Sequence, residues 1–294
     1  MAQKKKDMKK PLIILGVVAV VALLAFLIFD EVKSGNFLKE LNQALENTKE
    51  IESGSAIGYT YSYAEGEKDT ASKATRKANF LRSEDGITFQ ESTGNEEGTA
   101  LVSNVYLKPG EYYYLGEDAK WVRSEIEKGL DTRPYSMASF SRTLSSEQFK
   151  RIKPTEVDGK KAFEVVLTRQ WLMASYQGSG GDPLSGNVVF IMGKDGDTPI
   201  VERVIQTLNI RVTDEEGNKS VQVVEEDSTI TVGKSVEGGD VKAALDTFYE
   251  ENIKDNYVEA TELEQTENPE EEPTVGESGE QTVGSSEQKE TEQE

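Results

Sequence analysis

Carboxylates, lysines, tyrosines and serines are the side chains this chain could use to move a proton, attack a carbonyl or hold an ion. Its 294 residues contain neither histidine nor cysteine. That removes Ser-His-Asp triads, thiolate nucleophiles, disulfides and His- or Cys-based metal sites. A carboxylate pair or a Ser–Lys pair would remain, but no spacing singles one out among so many glutamates. Asp195-Gly196-Asp197 lacks the D-x-D-x-D-G…E spacing of a calcium loop and reads as a turn. The glycines of 178–181 are followed by no Gly-Lys-Ser/Thr, so they form no phosphate loop. Lys73, Arg76, Lys77 and Arg82 could meet an anionic ligand, but a solvated strand face accounts for them. The expectation is therefore a protein that is not an enzyme, with no catalytic residue, no cofactor and no metal.

The side chains that could bind rather than react are aromatic and apolar. Tyr59, Tyr61 and Tyr63 alternate with small residues, which places the three rings on one face of a strand. Tyr112, Tyr114 and Trp121 lie in another hairpin-like stretch. Met137, Phe140 and Leu144 have helical spacing. These nine residues are the candidate lining of a ligand cavity, and the alternative reading of each is ordinary core packing.

The elements that must position them begin with Leu12–Phe29, eighteen consecutive uncharged, predominantly apolar residues. As a helix this stretch is about 27 Å long, close to the roughly 30 Å hydrocarbon core of a bilayer. It exits as Phe29-Asp30-Glu31 without a small-residue cleavage pattern, so a retained membrane helix is expected rather than a removed signal. Lys4, Lys5, Lys6, Lys9 and Lys10 precede it, which predicts a cytoplasmic N-terminus (1–11) and an extracytoplasmic remainder. The net charge is −21. Such an acidic chain is a poor partner for nucleic acid. Twelve Glu and one Lys crowd residues 261–294, which contain no aromatic residue. The stretch 258–294 is accordingly expected to be a disordered acidic tail.

Between a linker (30–36) and that tail, one domain is expected over 37–257. Leu38, Leu41, Leu45 and Ile51 mark an amphipathic helix capped by Asn36. From Ser55 the period becomes two, and strand-like runs recur with short polar turns, as in an antiparallel meander. Residues 125–150 interrupt the pattern with helical spacing, and Ser145-Ser146-Glu147-Gln148 reads as a helix start. Strands resume through the Asp158-Gly159 turn. Trp171–Tyr176 suggests a helical turn and 177–186 a flexible loop. Three further strands and a helix over 239–253 follow. The fold class is α+β: a large antiparallel sheet that curls, with helices packed on its concave face.

Four segments resemble the LolA/LppX-like lipoprotein-carrier superfamily. They are FLKELNQALENTKEIESGSAIGYTYSY (37–63), YYYLGEDAKWVRSE (112–125), EVDGKKAFEVVLT (156–168) and GNVVFIMGKDGDTPIVERV (186–204). The resemblance implies a half-open β-barrel with helices as a lid. It also implies a lipid, a lipidated ligand or an envelope protein as partner, held in the cavity. An interaction or structural module, or an envelope sensor, without a small-molecule ligand is the alternative. The apolar N-terminal stretch departs from the family's soluble and lipid-anchored carriers. It implies a version that stays at the membrane.

Overall fold

The computed structural model describes residues 35–95, 101–116, 119–125, 137, 140, 143–175, 181–214 and 216–260. The expected membrane helix over Leu12–Phe29 and the acidic stretch beyond 260 lie outside these residues. Among the described residues no helix is long and apolar enough to cross a membrane.

Helix α1 (35–49) is already under way at Gly35, so Asn36 sits inside it rather than capping it. Two meanders follow. The first is β1 (Ser53–Ala64), β2 (Ser72–Ser83), β3 (Gly86–Gly94), β4 (Leu101–Lys108), β5 (Glu111–Leu115) and β6 (Trp121–Glu125). The second is β7 (Phe149–Val157), β8 (Lys160–Leu167), β9 (Asp182–Asp195), β10 (Thr198–Thr213) and β11 (Lys219–Val232), with helix α2 (Arg169–Ser175) between β8 and β9. Helix α3 (Val241–Asn252) and β12 (Tyr257–Glu259) complete the described chain.

All the strands join one sheet in the order β12-β6-β5-β4-β3-β2-β1-β11-β10-β9-β8-β7. The first meander runs outward from the centre to β6. The second starts at the opposite edge and returns to the centre, where β11 pairs antiparallel with β1, Tyr59 opposite Asp227. Every pairing is antiparallel except the last, in which β12 lies parallel to β6. The turn residues suit these hairpins. Asp158 and Gly159 have φ of 52° and 76°, the two positive values a tight type I′ turn requires. β9 begins at Asp182, so part of the expected 177–186 loop is strand.

The register separates two faces. One carries Ala56, Phe80, Phe89, Leu107, Phe163, Val165, Phe190, Val204 and Ile230, which form the main core with Leu41, Ala44 and Leu45 of α1 and Leu172 of α2. Each of the valine, leucine, isoleucine and phenylalanine side chains contributes about 1.5–3 kcal/mol when fully buried. The other face carries Tyr106, Tyr113 and Trp121, which pack beneath Val241 and Leu245 of α3 together with Ile253. This corrects the expectation that the helices share one face: α1 and α2 cover the core face, and α3 covers the outer one. The reason is that β4 to β6 are apolar on both sides. Tyr106 and Leu107 are adjacent in β4, and both are buried.

Helix α1 is fixed to the sheet by polar contacts as well as by packing. A bulge interrupts the β9–β10 register between Val201 and Arg203. The Val201 N–H donates to Thr48 Oγ1 at 2.9 Å, and the Thr48 hydroxyl donates to Ala44 O at 2.7 Å. Asn47 Nδ2 donates to Pro199 O at 2.7 Å, and Arg82 Nη2 donates to Lys49 O at 2.5 Å.

Candidate functional site

The core face is not sealed evenly. Along β8 to β10, apolar side chains run nearly the length of the strands. Along β11 and β1 to β4, they occupy only one end. Beyond Ile230, Ala56, Ala78 and Phe89 the same face continues as Ser228, Glu226 and Val224 on β11, Thr60 and Ser62 on β1, Arg76 and Ala74 on β2, and Glu91 and Thr93 on β3. Val105, Tyr112 and Tyr114 extend it across β4 and β5. Most of these side chains are half-buried; Glu91 and Ser228 are buried. This half-buried stretch, the recess, has a polar floor, apolar and aromatic flanks, and the main core at one end.

The floor is closely packed at its inner end. Gly58 stands between Arg76 on β2 and Ser228 on β11 in the pairing register. A Cβ at Gly58 would meet the Ser228 hydroxyl at 3.0 Å. Burial pushes the Glu226 carboxyl above its ordinary range, and the positive charge of Arg76 pulls against that. Burial likewise raises the Tyr112 hydroxyl, helped by neighbouring Tyr114 and by the charge of Glu91. The rings of Tyr112 and Tyr114 are 6.1 Å apart and tilted by 31°. Such a surface can hold an amphiphile, with its apolar part along Val105, Val224, Leu208 and the tyrosines and its polar part over the floor.

The nine residues singled out from the sequence do not form one lining. Tyr112 and Tyr114 flank the recess. Met137 and Phe140 are buried inside the main core, where they fill space. Leu144 packs at its margin, held by Asn42: the Leu144 N–H donates to Asn42 Oδ1, and Asn42 Nδ2 donates to Leu144 O, both at 2.8 Å. Tyr59, Tyr61 and Tyr63 lie on the outer face, because their strand places Ala56, Gly58 and Thr60 on the core side. There Lys73 Nζ lies 4.4 Å from the Tyr59 ring centroid and 5.6 Å from that of Tyr61. Trp121 is also on the outer face, edge-on to Phe248 with centroids 5.8 Å apart. A cavity on the core side therefore cannot be lined by those four.

Glu91 and Glu226 were not anticipated, and Arg76 was expected on a solvated strand face. A signal existed for one of them. Glu225-Glu226-Asp227 places three acids in a row within a strand, and alternation must send the middle one to the inner face. The flanking two meet outer-face cations. Lys68 pairs with Glu225 at 3.1 Å. Arg203 grips Asp227 with two nitrogens at 2.8 and 2.7 Å, and the Asp227 carboxylate raises the guanidinium pKa. Among the described residues no group of three or more acidic side chains is placed to hold a metal ion.

No family profile matches the chain, and no curated protein matches it. Three solved structures share features of its layout. LprF from Mycobacterium bovis is 12% identical with a TM-score of 0.39, over 67% of this chain and 92% of that one. A DUF1329 family protein from Desulfovibrio piger is 10% identical with a TM-score of 0.27, over 68% and 94%. A LolA superfamily protein from Nitrosomonas europaea is 10% identical with a TM-score of 0.23, over 64% and 90%. That last superfamily is the one the sequence resembles.

Proposed function

We propose that this is a binding protein held at the membrane by Leu12–Phe29, with its sheet domain outside the cytoplasm. It binds a lipid or lipidated ligand in the recess of the core face. The observation that carries this reading is the break in the core. Across β11 and β1 to β4 one sheet face passes from sealed apolar packing to a half-buried floor of Thr60, Arg76, Glu226 and Thr93 flanked by Tyr112 and Tyr114. A sheet face that served only as core would continue apolar. Acyl carbon would gain about 25 cal/mol per Å² of apolar surface removed from water along the flanks. The polar floor would receive a headgroup. A tethered domain of this kind retains or presents its ligand near the bilayer instead of ferrying it across a gap.

The test uses the full chain purified from membranes. Organic extraction and mass spectrometry should recover a lipid in stoichiometric amount, and a fluorescent fatty acid should bind saturably. Neither a co-purifying lipid nor saturable binding of the probe would overturn the proposal.

A further inference from the structure

A second cavity, of about 500 Å³, lies on the outer face between α3 and the ends of β2 to β4. It falls within the 300–1,000 Å³ range of small-molecule sites. It is separated from the recess by the thickness of the sheet, so nothing said of one depends on the other. One wall is apolar, from Leu81, Leu245 and Pro109. The rings of Tyr106 and Tyr249 form another, 5.4 Å apart and tilted by 35°. Charged groups of both signs surround the opening: Lys108 and Lys242 against Asp85, Asp246 and Glu250.

Tyr106 distinguishes this cavity from a surface dent. The residue is only 4% exposed, and it lines the cavity. Its hydroxyl makes no hydrogen bond to any described residue. Buried hydroxyls in folded proteins normally carry a hydrogen bond, and a ligand in the cavity could supply one. Burial and the charge of Asp246, also on the cavity wall, push its pKa up to about 12, so the hydroxyl remains a neutral group able to donate and accept. Lys108 is held in place beside it, donating to Tyr249 Oη at 3.1 Å and paired with Glu111 at 2.8 Å. An ammonium has three N–H donors, so one remains after these contacts.

The mixture of groups selects a ligand class. Asp246 is paired with Lys242 and Glu250 with Lys254, so the rim is close to charge-balanced and favours neither an anion nor a cation. A neutral molecule carrying many hydroxyls can donate to the carboxylates and accept from Lys108 and Tyr106. A ring with an apolar face would also lie against the tyrosines and Leu245. We propose that the cavity beneath α3 binds a neutral hydroxylated ring, a sugar unit of a glycan, with the Tyr106 hydroxyl as its buried hydrogen-bond partner.

The test is saturation-transfer NMR and calorimetry on the full chain with glucose, galactose and N-acetylglucosamine. Choline and inorganic phosphate serve as the charged comparisons. At least one sugar should bind saturably, and more tightly than either ion. Tyr106→Phe keeps the ring and its packing, should fold as the parent does, and should weaken that sugar roughly tenfold. Asp85→Asn at the rim should weaken it less. Failure of all three sugars to bind at millimolar concentration would overturn the proposal. So would tighter binding of choline or phosphate, or unchanged sugar binding by Tyr106→Phe.

Discussion

Replacing Thr48 by valine tests how α1 is attached to the sheet. Thr48 is 1% exposed and its hydroxyl bridges two backbones, accepting from the Val201 N–H and donating to Ala44 O. Valine keeps the shape and removes only the hydroxyl. Ala44 O retains partners within its helix, but the Val201 N–H is stranded beside a bulge in a buried place. Leaving such a donor unsatisfied costs about 1–3 kcal/mol, so a loss of about 2 kcal/mol is expected. For a domain of this size each kcal/mol lowers the melting temperature by about 2–4 °C, which predicts a drop of roughly 4–8 °C. Thr48→Ser keeps the hydroxyl and deletes one methyl, which costs about 0.8 kcal/mol. Urea denaturation of the three proteins gives the ranking. Amide exchange at Val201 should accelerate in the valine variant alone. A Thr48→Val protein as stable as the parent, with the Val201 amide still protected, would refute the account of the bulge as a docking point for α1.

Glu226→Gln should stabilise the fold at neutral pH, because burial raises the folded-state pKa of this carboxyl and so disfavours its charged form. The sign follows from linkage: a raised acid gains stability as pH falls through the folded pKa, so the parent should converge on the variant at acid pH, as read by melting temperature across pH. Ala74→Phe, on the floor of the recess, should abolish binding of the fluorescent fatty acid while changing stability by less than about 1.5 kcal/mol; full binding would place the ligand elsewhere. Phe140→Ala should cost about 3–5 kcal/mol by urea denaturation, since Phe140 is 1% exposed within the main core and a lid residue facing solvent would cost far less.

Much of the strand order was legible because the first meander alternates and its turns are short. The period of two around Tyr59, the Asp158-Gly159 turn and the amphipathic helix that includes Leu41 and Leu45 all reappear as expected. Which face each strand shows was harder. Parity within one strand is visible, so Tyr112 and Tyr114 had to share a side opposite Tyr113. Parity between strands depends on the turn, and the connection from Leu115 to Trp121 decides that Trp121 joins Tyr113. Tyr59, Tyr61 and Tyr63 looked like a lining because aromatic rings suggest burial. Their neighbours across the strands are Asp227, Glu225, Thr75 and Lys73, which belong to a polar face. A clue to the second layer was present in β4. Val105, Tyr106 and Leu107 are apolar in succession, the mark of a strand covered on both sides. The parallel strand β12 was not legible, because three residues carry no period. It forms through tertiary contacts, with Arg123 donating to Glu259 at 3.0 Å and Tyr257 packed edge-on to Tyr113.

The pairing of β1 with β11 has a consequence for how the protein is made. The strand at the centre of the sheet is the first to be synthesised, and its second neighbour is the last of the two meanders. Tyr59 must wait for Asp227, and at about 5–20 residues per second the interval is roughly 10–30 s. During that time β1 to β6 can assemble outward, but the inner edge of β1 stands open, its amides and carbonyls free to pair with any passing strand. The nascent chain therefore carries its most adhesive surface at what will become its middle. Protection of that edge during biosynthesis has to last until β11 arrives.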